Sequence, residues 1–248
     1  MKNNYFYKGE LSNIYKRPSK VSEITSQIIY GERFNILSKS KNWLKVKTSF
    51  DNYIGYIKNK NYIDNFEPTH KISVIKARIF NKVKKKTKNF LTFASKISII
   101  EENKKFIKFE KNKWVKKTDI KKIDYIERDY IKILRLFLNT RYVWGGKTYK
   151  GIDCSAILQL IFYYNNKFFP RDTIAQVKFS KKIVRKKKFK GGDIIFWKGH
   201  VAICVNSQKL IHAYGPEKKV LFMPIKKTID RIEQTAKLII KKVSYIKY

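Results

Sequence analysis

Arg141-Tyr-Val-Trp-Gly-Gly-Lys-Thr-Tyr-Lys-Gly-Ile-Asp-Cys-Ser-Ala156 is the stretch on which the reading of this chain turns. Gly145, Gly146 and Gly151 mark it as a turn-rich loop. Behind it, Ile157, Leu160, Ile161 and Tyr164 fall at i, i+3, i+4 and i+7, the apolar stripe of an amphipathic helix. Asp153 is a good N-cap for that helix, which puts Cys154 on its first turn. Free backbone N–H groups and the positive end of the helix dipole gather there and favour a thiolate. The spacing predicts a half-buried helix with a reactive sulfur at its tip. A buried structural cysteine is the ordinary alternative, and the rest of the chain has to decide.

At 248 residues the chain is long enough for two or three domains with a real core. A formal charge of +38 invites nucleic acid, anionic membrane or acidic substrates as partners. However, lysine is scattered through every region, and Ile, Asn and Tyr are enriched with it, as an A/T-rich coding bias would produce. Trp43 and Trp114 occupy core-like strand positions, whereas a barrel that binds nucleic acid shows aromatics among clustered cations. Nucleic acid is therefore not an expected partner. Two cysteines make no disulfide framework, and Cys204 lies in an apolar strand, so a reducing compartment is expected. The first ten residues hold no apolar signal core, and no run approaches the roughly 20 apolar residues of a membrane helix. The expectation is a cytoplasmic protein with no membrane span, acting as a monomer.

From about residue 5 to 66 the chain reads as short alternating strands, among them Ile28–Leu37, Trp43–Thr48 and Tyr53–Lys58, separated by Gly, Asn, Asp and Ser turns. Residues 70–124 repeat the plan: Phe106-Ile-Lys-Phe109 matches Trp43-Leu-Lys-Val46, and Lys113-Trp-Val-Lys116 matches Gly55-Tyr-Ile-Lys58. Both copies close on an Ile-Asp pair, Ile63-Asp64 and Ile123-Asp124. Lys82–Lys88 reads as a solvated loop. The run 123–138 has helical spacing and leads into a third domain, giving expected boundaries of 1–66, 67–124 and 125–248. In that third domain a loop at Phe169–Asp172 opens a short helix. Then Lys190–Val205 reads as two strands about a turn at Lys198-Gly199, and Lys209–Tyr214 as a third strand. Helix first and antiparallel sheet after make it α+β.

A thiol nucleophile needs a base within reach, and that base needs a third group to set its tautomer. The chain has three histidines. His70 lies in the link between the two small modules with no motif around it. His200 starts a strand directly after a turn, and His212 lies on the next strand, so pairing across the Asn206 turn brings the rings together. This assigns Cys154 as nucleophile, His200 as base and then acid, and His212 as the group that orients His200. Zinc ligation by the same trio lacks the usual ligand spacing and a fourth ligand, so neither a metal nor any other cofactor is expected.

Five ordered segments carry a resemblance: Tyr142-Val-Trp-Gly-Gly146; Asp153-Cys-Ser155; Pro170-Arg-Asp172 with Gln176; Gly192-Asp-Ile194; and Gly199-His-Val201 with Ile211-His-Ala213. In that order they resemble the NlpC/P60 cysteine peptidases over nearly all of residues 125–225. The two small modules resemble bacterial SH3-like (SH3b) domains. The fold implied is α+β, two SH3-like β-barrels followed by a papain-like NlpC/P60 domain. Ala156 and Ala202 stand where the family usually has Gly, small-for-small changes. The whole chain looks like the γ-D-glutamyl-L-diamino acid endopeptidases that cut peptidoglycan stem peptides, so the partner implied is a peptidoglycan-derived peptide. In that family the tyrosine of the first segment, here Tyr142, helps hold the oxyanion together with the amide of the nucleophile, Cys154. The resemblance also implies that Asp153 and Ser155 grip the free α-amine of an N-terminal L-Ala. An acidic residue and a tyrosine of the first SH3b module, here Glu23 and Tyr53, would close that end of the cleft. Trp144 and Trp197 are expected in the core. An amidase or acyltransferase with the same trio, or a basic SH3-like protein binding wall polymer or nucleic acid, would be the other functions.

Overall fold

A computed structural model describes residues 4–81, 85–181 and 188–246. It divides into two compact units, one of residues 1–126 with 163–166, the other of residues 127–162 with 167–248.

In the first unit, residues 4–63 form one antiparallel seven-stranded sheet. Trp43–Thr48 alternates half-buried and buried residues along its length, as the sequence alternation requires. Leu44 and Val46 point into a core shared with Tyr7, Ile14, Ile28, Phe34 and Ile57. The second module builds a five-stranded and a three-stranded sheet from residues 70–122. Its Phe106–Glu110 strand has the same alternation, with Ile107 and Phe109 buried, and pairs Phe106 with Lys116 as Trp43 pairs with Lys58. The duplicated sequence is thus a duplicated strand pair. One residue belongs to both modules: Tyr30 follows the Ile24–Ile29 strand of the first, yet its ring packs in the core of the second. Its hydroxyl donates to Glu110 Oε1 at 2.6 Å, and Lys8 Nζ pairs with the same carboxylate at 2.6 Å.

Two expectations change here. Of the lysine-rich run 82–88, residues 82–84 lie outside the described residues, and the remainder forms the largely exposed start of a strand, Lys85–Thr92, not a loop. That strand is at a sheet edge, where protruding lysines deter further pairing. His70 stands in the strand His70–Ile72, not in a linker.

The second unit begins with helix α1, Tyr130–Leu136, shorter than the spacing from 123 suggests. The Asp129 carboxylate starts it there by accepting the Ile131 N–H at 3.0 Å. Helix α2 runs Cys154–Tyr164, and every one of its residues is buried, so it is a central helix and not a half-buried one. Helices α3, Thr173–Phe179, and α4, Ile225–Ala236, complete the set among the described residues. The sheet is antiparallel, in the order Lys219–Pro224, Lys209–Tyr214, His200–Cys204, Asp193–Trp197, Lys242–Tyr245. Trp197 pairs with His200 across a two-residue turn whose Gly199 has φ +75°, a region that favours glycine. The next pairing sets Ile203 opposite Ile211 and Cys204 opposite Leu210. Continued, that register puts His200 and His212 on one face as diagonal neighbours.

Candidate active site

The loop before α2 is folded back on itself. A Cβ on Gly146 would lie 2.5 Å from the Gly151 carbonyl oxygen, so only glycine fits. Val143 N–H donates to the Ile152 carbonyl at 3.2 Å and Asp153 N–H to that of Gly146 at 3.2 Å, delivering the chain into the helix. Asp153 then caps it: its Oδ1 accepts the Ala156 N–H at 2.8 Å and the Ser155 hydroxyl at 3.0 Å. Its Oδ2 accepts the Gly145 N–H at 3.0 Å.

Arg171, 2% exposed, completes this cap. Its guanidinium grips Asp153 with both arms, at 3.0 Å to Oδ1 and 2.7 Å to Oδ2, and donates to Ser155 Oγ at 2.9 Å. Five donors therefore fill a carboxylate with about four lone-pair sites. Gln176 fastens the outer side, its Nε2 donating at 2.9 Å to both the Ser155 and Pro170 carbonyls. Sequence reasoning quoted Pro170-Arg171-Asp172 without giving Arg171 a task. The signal was there: an acid beside a buried thiol needs a cation, or it is left unpaired in low dielectric.

Cys154 is 3% exposed, and burial pushes its thiol up to about 12; Asp153 adds to the rise, while the Val201 amide, Arg171 and the Ser155 amide oppose it. The sulfur expected to be ionised at the helix tip is thus buried more deeply than its place on a first turn suggests. Burial and Asp153 work against ionisation of this sulfur, and the Val201 and Ser155 amides and Arg171 work for it. The Val201 N–H nevertheless reaches the sulfur, so the start of the His200 strand lies beside Cys154.

His200 Nε2 lies 2.9 Å from His212 Nδ1. His212 is fully buried, stacked on Tyr214 at 4.6 Å between ring centroids and 10° between planes. Its other nitrogen, Nε2, lies 3.2 Å from the Met223 sulfur. Burial lowers both imidazoles, His200 to about 4 and His212 well below the ordinary histidine range, with His200 and Arg231 nearby adding to the fall of His212. Both rings are neutral at physiological pH. One nitrogen of His200 is spent on His212, and Nδ1 has no partner among the described residues.

Tyr142 is half-buried, and burial together with the nearby Cys154 and Asp153 raises its hydroxyl well above the ordinary tyrosine range, so it remains an O–H donor. Ser155 is buried, its hydroxyl donating to Asp153 and accepting from Arg171. Glu23 is exposed and paired with Lys16 at 3.1 Å, while Tyr53 packs against the core of the first module, its hydroxyl donating to the Thr25 carbonyl at 3.4 Å. Trp197 is fully buried as expected, but Trp144 is 59% exposed, not a core residue. Three residues of its own loop, Gly145 to Lys147, are buried, and the backbone reversal that buries them turns this side chain outward. No cluster of three or more His, Cys, Asp or Glu able to hold a metal occurs among the described residues.

An N-terminal helix cysteine set against an antiparallel sheet carrying paired histidines defines a cysteine-type peptidase. Residues 139–235 match the NlpC/P60 family and residues 14–61 the bacterial dipeptidyl-peptidase SH3 domain, so the chain carries an NlpC/P60 domain with an SH3 module ahead of it. It is 25% identical over 238 residues to the γ-D-glutamyl-L-lysine dipeptidyl-peptidase of Bacillus subtilis, covering 86% of this chain and 80% of that protein. It is 23% identical over 236 residues to dipeptidyl-peptidase 6 of Lysinibacillus sphaericus, covering 82% and 84%. Among solved structures, an NlpC/P60 family protein from Bacillus cereus has the same fold, with a TM-score of 0.78 at 19% identity over 90% of this chain and 94% of that one. None of the described helices is long and apolar enough to cross a membrane.

Proposed function

We propose that the protein hydrolyses the bond between γ-D-glutamate and an L-diamino acid, lysine or diaminopimelate, in peptidoglycan peptides that begin with a free L-Ala. The observation that carries this reading is the 2.9 Å contact between His200 Nε2 and His212 Nδ1 beside a cysteine-tipped helix. The name of the Bacillus subtilis relative, which aligns over 86% of this chain and 80% of its own length, supports the choice of bond, and the second relative supports a dipeptidyl-peptidase.

In this reading His200 Nδ1 takes the Cys154 proton as the sulfur attacks the γ-carbonyl carbon of D-Glu. The carbonyl π pair moves to oxygen, and the oxyanion is met by the Tyr142 hydroxyl and the Cys154 amide. Collapse breaks the C–N bond, and His200 returns the proton to the departing amine of the diamino acid. Water, deprotonated by His200, then splits the thioester and releases L-Ala-γ-D-Glu. His212 holds the His200 ring throughout.

Asp153 and Ser155 are the proposed contacts of the free α-amine. Since their hydrogen-bonding positions are already filled, the amine enters by exchange with the donors of Arg171 and Ser155. Glu23 and Tyr53 are the proposed residues of the first module that close the cleft, restricting the enzyme to released fragments. The proposed domain boundaries are 1–66, 67–124 and 125–248. A cytoplasmic monomer is the proposed state for this role.

The test is incubation with L-Ala-γ-D-Glu-L-Lys and its diaminopimelate counterpart, following release of the dipeptide and the diamino acid. Cleavage that disappears in Cys154→Ala supports the proposal. No cleavage of either peptide by the wild type, or cleavage unchanged in Cys154→Ala, ends it.

A further inference from the structure

His212 is held at both nitrogens, Nδ1 by His200 at 2.9 Å and Nε2 by the thioether of Met223 at 3.2 Å. The two contacts differ in kind. Either imidazole nitrogen can donate or accept, according to the tautomer. A thioether sulfur has no hydrogen and can only accept. If His212 carried its proton on Nδ1, the bare lone pair of Nε2 would face the lone pairs of sulfur in a fully buried site, a repulsive pairing with no water to relieve it. With the proton on Nε2 the N–H points at sulfur, and the lone pair of Nδ1 is left for His200.

That choice propagates one ring further. When His212 Nδ1 is the acceptor, His200 must donate through Nε2–H, and the lone pair of His200 is on Nδ1, the nitrogen with no partner among the described residues. When His212 Nδ1 is the donor, His200 accepts at Nε2 and carries its proton on Nδ1, and it can then take no proton from a thiol. We propose that Met223 is a positioning residue: its sulfur, by accepting from His212 Nε2–H, selects the one tautomer of the His212–His200 pair in which His200 can act as a base. The inference rests on the Cys154–His200–His212 assignment and deepens it.

The surroundings leave the task to Met223. Tyr214 lies flat on the ring of His212, 10° from parallel, and so makes no in-plane contact with either nitrogen. Arg231 lies 5.5 Å from the Tyr214 ring centroid and is paired with Glu217 at 2.6 Å, so its guanidinium is engaged there. Met223 itself is 6% exposed and packed among Trp197, Ala202, Leu210 and Ile225, with its strand fixed by the pairing of Leu210 with Met223 and His212 with Leu221. The side chain is therefore held in place, not swinging in solvent.

The test uses the whole protein and needs no substrate for its first arm. Nitrogen-15 NMR of the histidine rings distinguishes Nδ1–H from Nε2–H. The expectation is Nε2–H for both His200 and His212 in the wild type, and a mixture with Nδ1–H in Met223→Leu, which keeps most of the volume and removes the acceptor. The second arm is kinetic: Met223→Leu should lower kcat about three- to tenfold, the share of one modest hydrogen bond, with KM unchanged. Met223→Gln, which can present its carbonyl oxygen, should restore both the tautomer and part of kcat. Finding Nδ1–H on His212 in the wild type overturns the proposal even if Met223→Leu does not fold. So does a folded Met223→Leu with unaltered tautomers. A protein that shows the expected tautomers but cleaves neither peptide would sink the choice of substrate and leave the role of Met223 standing.

Discussion

Arg171 and Asp153 form a two-pronged buried ion pair at the mouth of the nucleophile helix, with contacts of 2.7 and 3.0 Å and both side chains almost wholly shielded from water. The pair reconciles two demands that conflict. The helix needs an acceptor at its first turn, and the neighbouring sulfur is harmed by an uncompensated negative charge. The cation satisfies both.

Removing one partner should cost more than removing two. Arg171→Met strands a buried carboxylate and is expected to lose about 3–5 kcal/mol of stability. Asp153→Asn strands the guanidinium and should be similarly damaging. The double variant should recover part of the loss, giving a clearly non-additive cycle in urea denaturation. Additive losses would show that the two groups do not act as a unit.

Cys154→Ala removes the reacting atom without opening a large cavity. Peptide cleavage is expected to fall on the order of 10⁴-fold or more, with the melting temperature nearly unchanged. His212→Ala should also be severely impaired, but through kcat and not KM, because it orients a base and touches no substrate.

Tyr142→Phe keeps the ring beside Gly215 and deletes only the hydroxyl. If that hydroxyl meets the oxyanion, kcat should drop by about 10²–10³ with little change in KM. A rise in KM alone would mean that the hydroxyl binds the ground-state substrate as well as the transition state.

The acid side of the pH profile is set by His200. Its folded value, about 4, lies below the roughly 6.5 of an unfolded histidine, so the unfolded chain takes up the proton first as pH falls. The stability this neutral ring contributes is whole above about pH 6.5 and is lost as pH falls toward 4. For the same reason kcat/KM should hold level through pH 6 and decline only on approach to pH 4–5. An acid limb centred at 6.5 or higher would contradict a desolvated base.

The legible parts of this molecule were those written in local order. Cys154, His200 and His212 stand at motif positions, and the turn at Lys198-Gly199 and the strand register follow from spacing alone. The repeat of Leu44 and Val46 as Ile107 and Phe109 was equally plain, because alternation along a strand is a property of neighbouring residues. What escaped depended on groups far apart in sequence. How strongly burial opposes ionisation of Cys154 depends on the depth of the sulfur, which no helix pattern states. Arg171 declares its role only when the loop brings it to Asp153. The helical spacing from 123 to 138 took no account of Asp129 as a cap, and Lys85–Lys88 was read by charge when its edge position governed.

Tyr30 has a consequence for how the first half of the chain comes apart. Its ring fills the second module's core while its main chain continues a strand of the first, and Glu110 ties both to Lys8. Cutting the chain near residue 66 would leave one piece with an unanchored tyrosine and the other with a hole where an aromatic ring had been. The two modules, although copies, have given up independence: they should melt in one calorimetric transition, and a gene fragment encoding either alone should yield a poorly folded product.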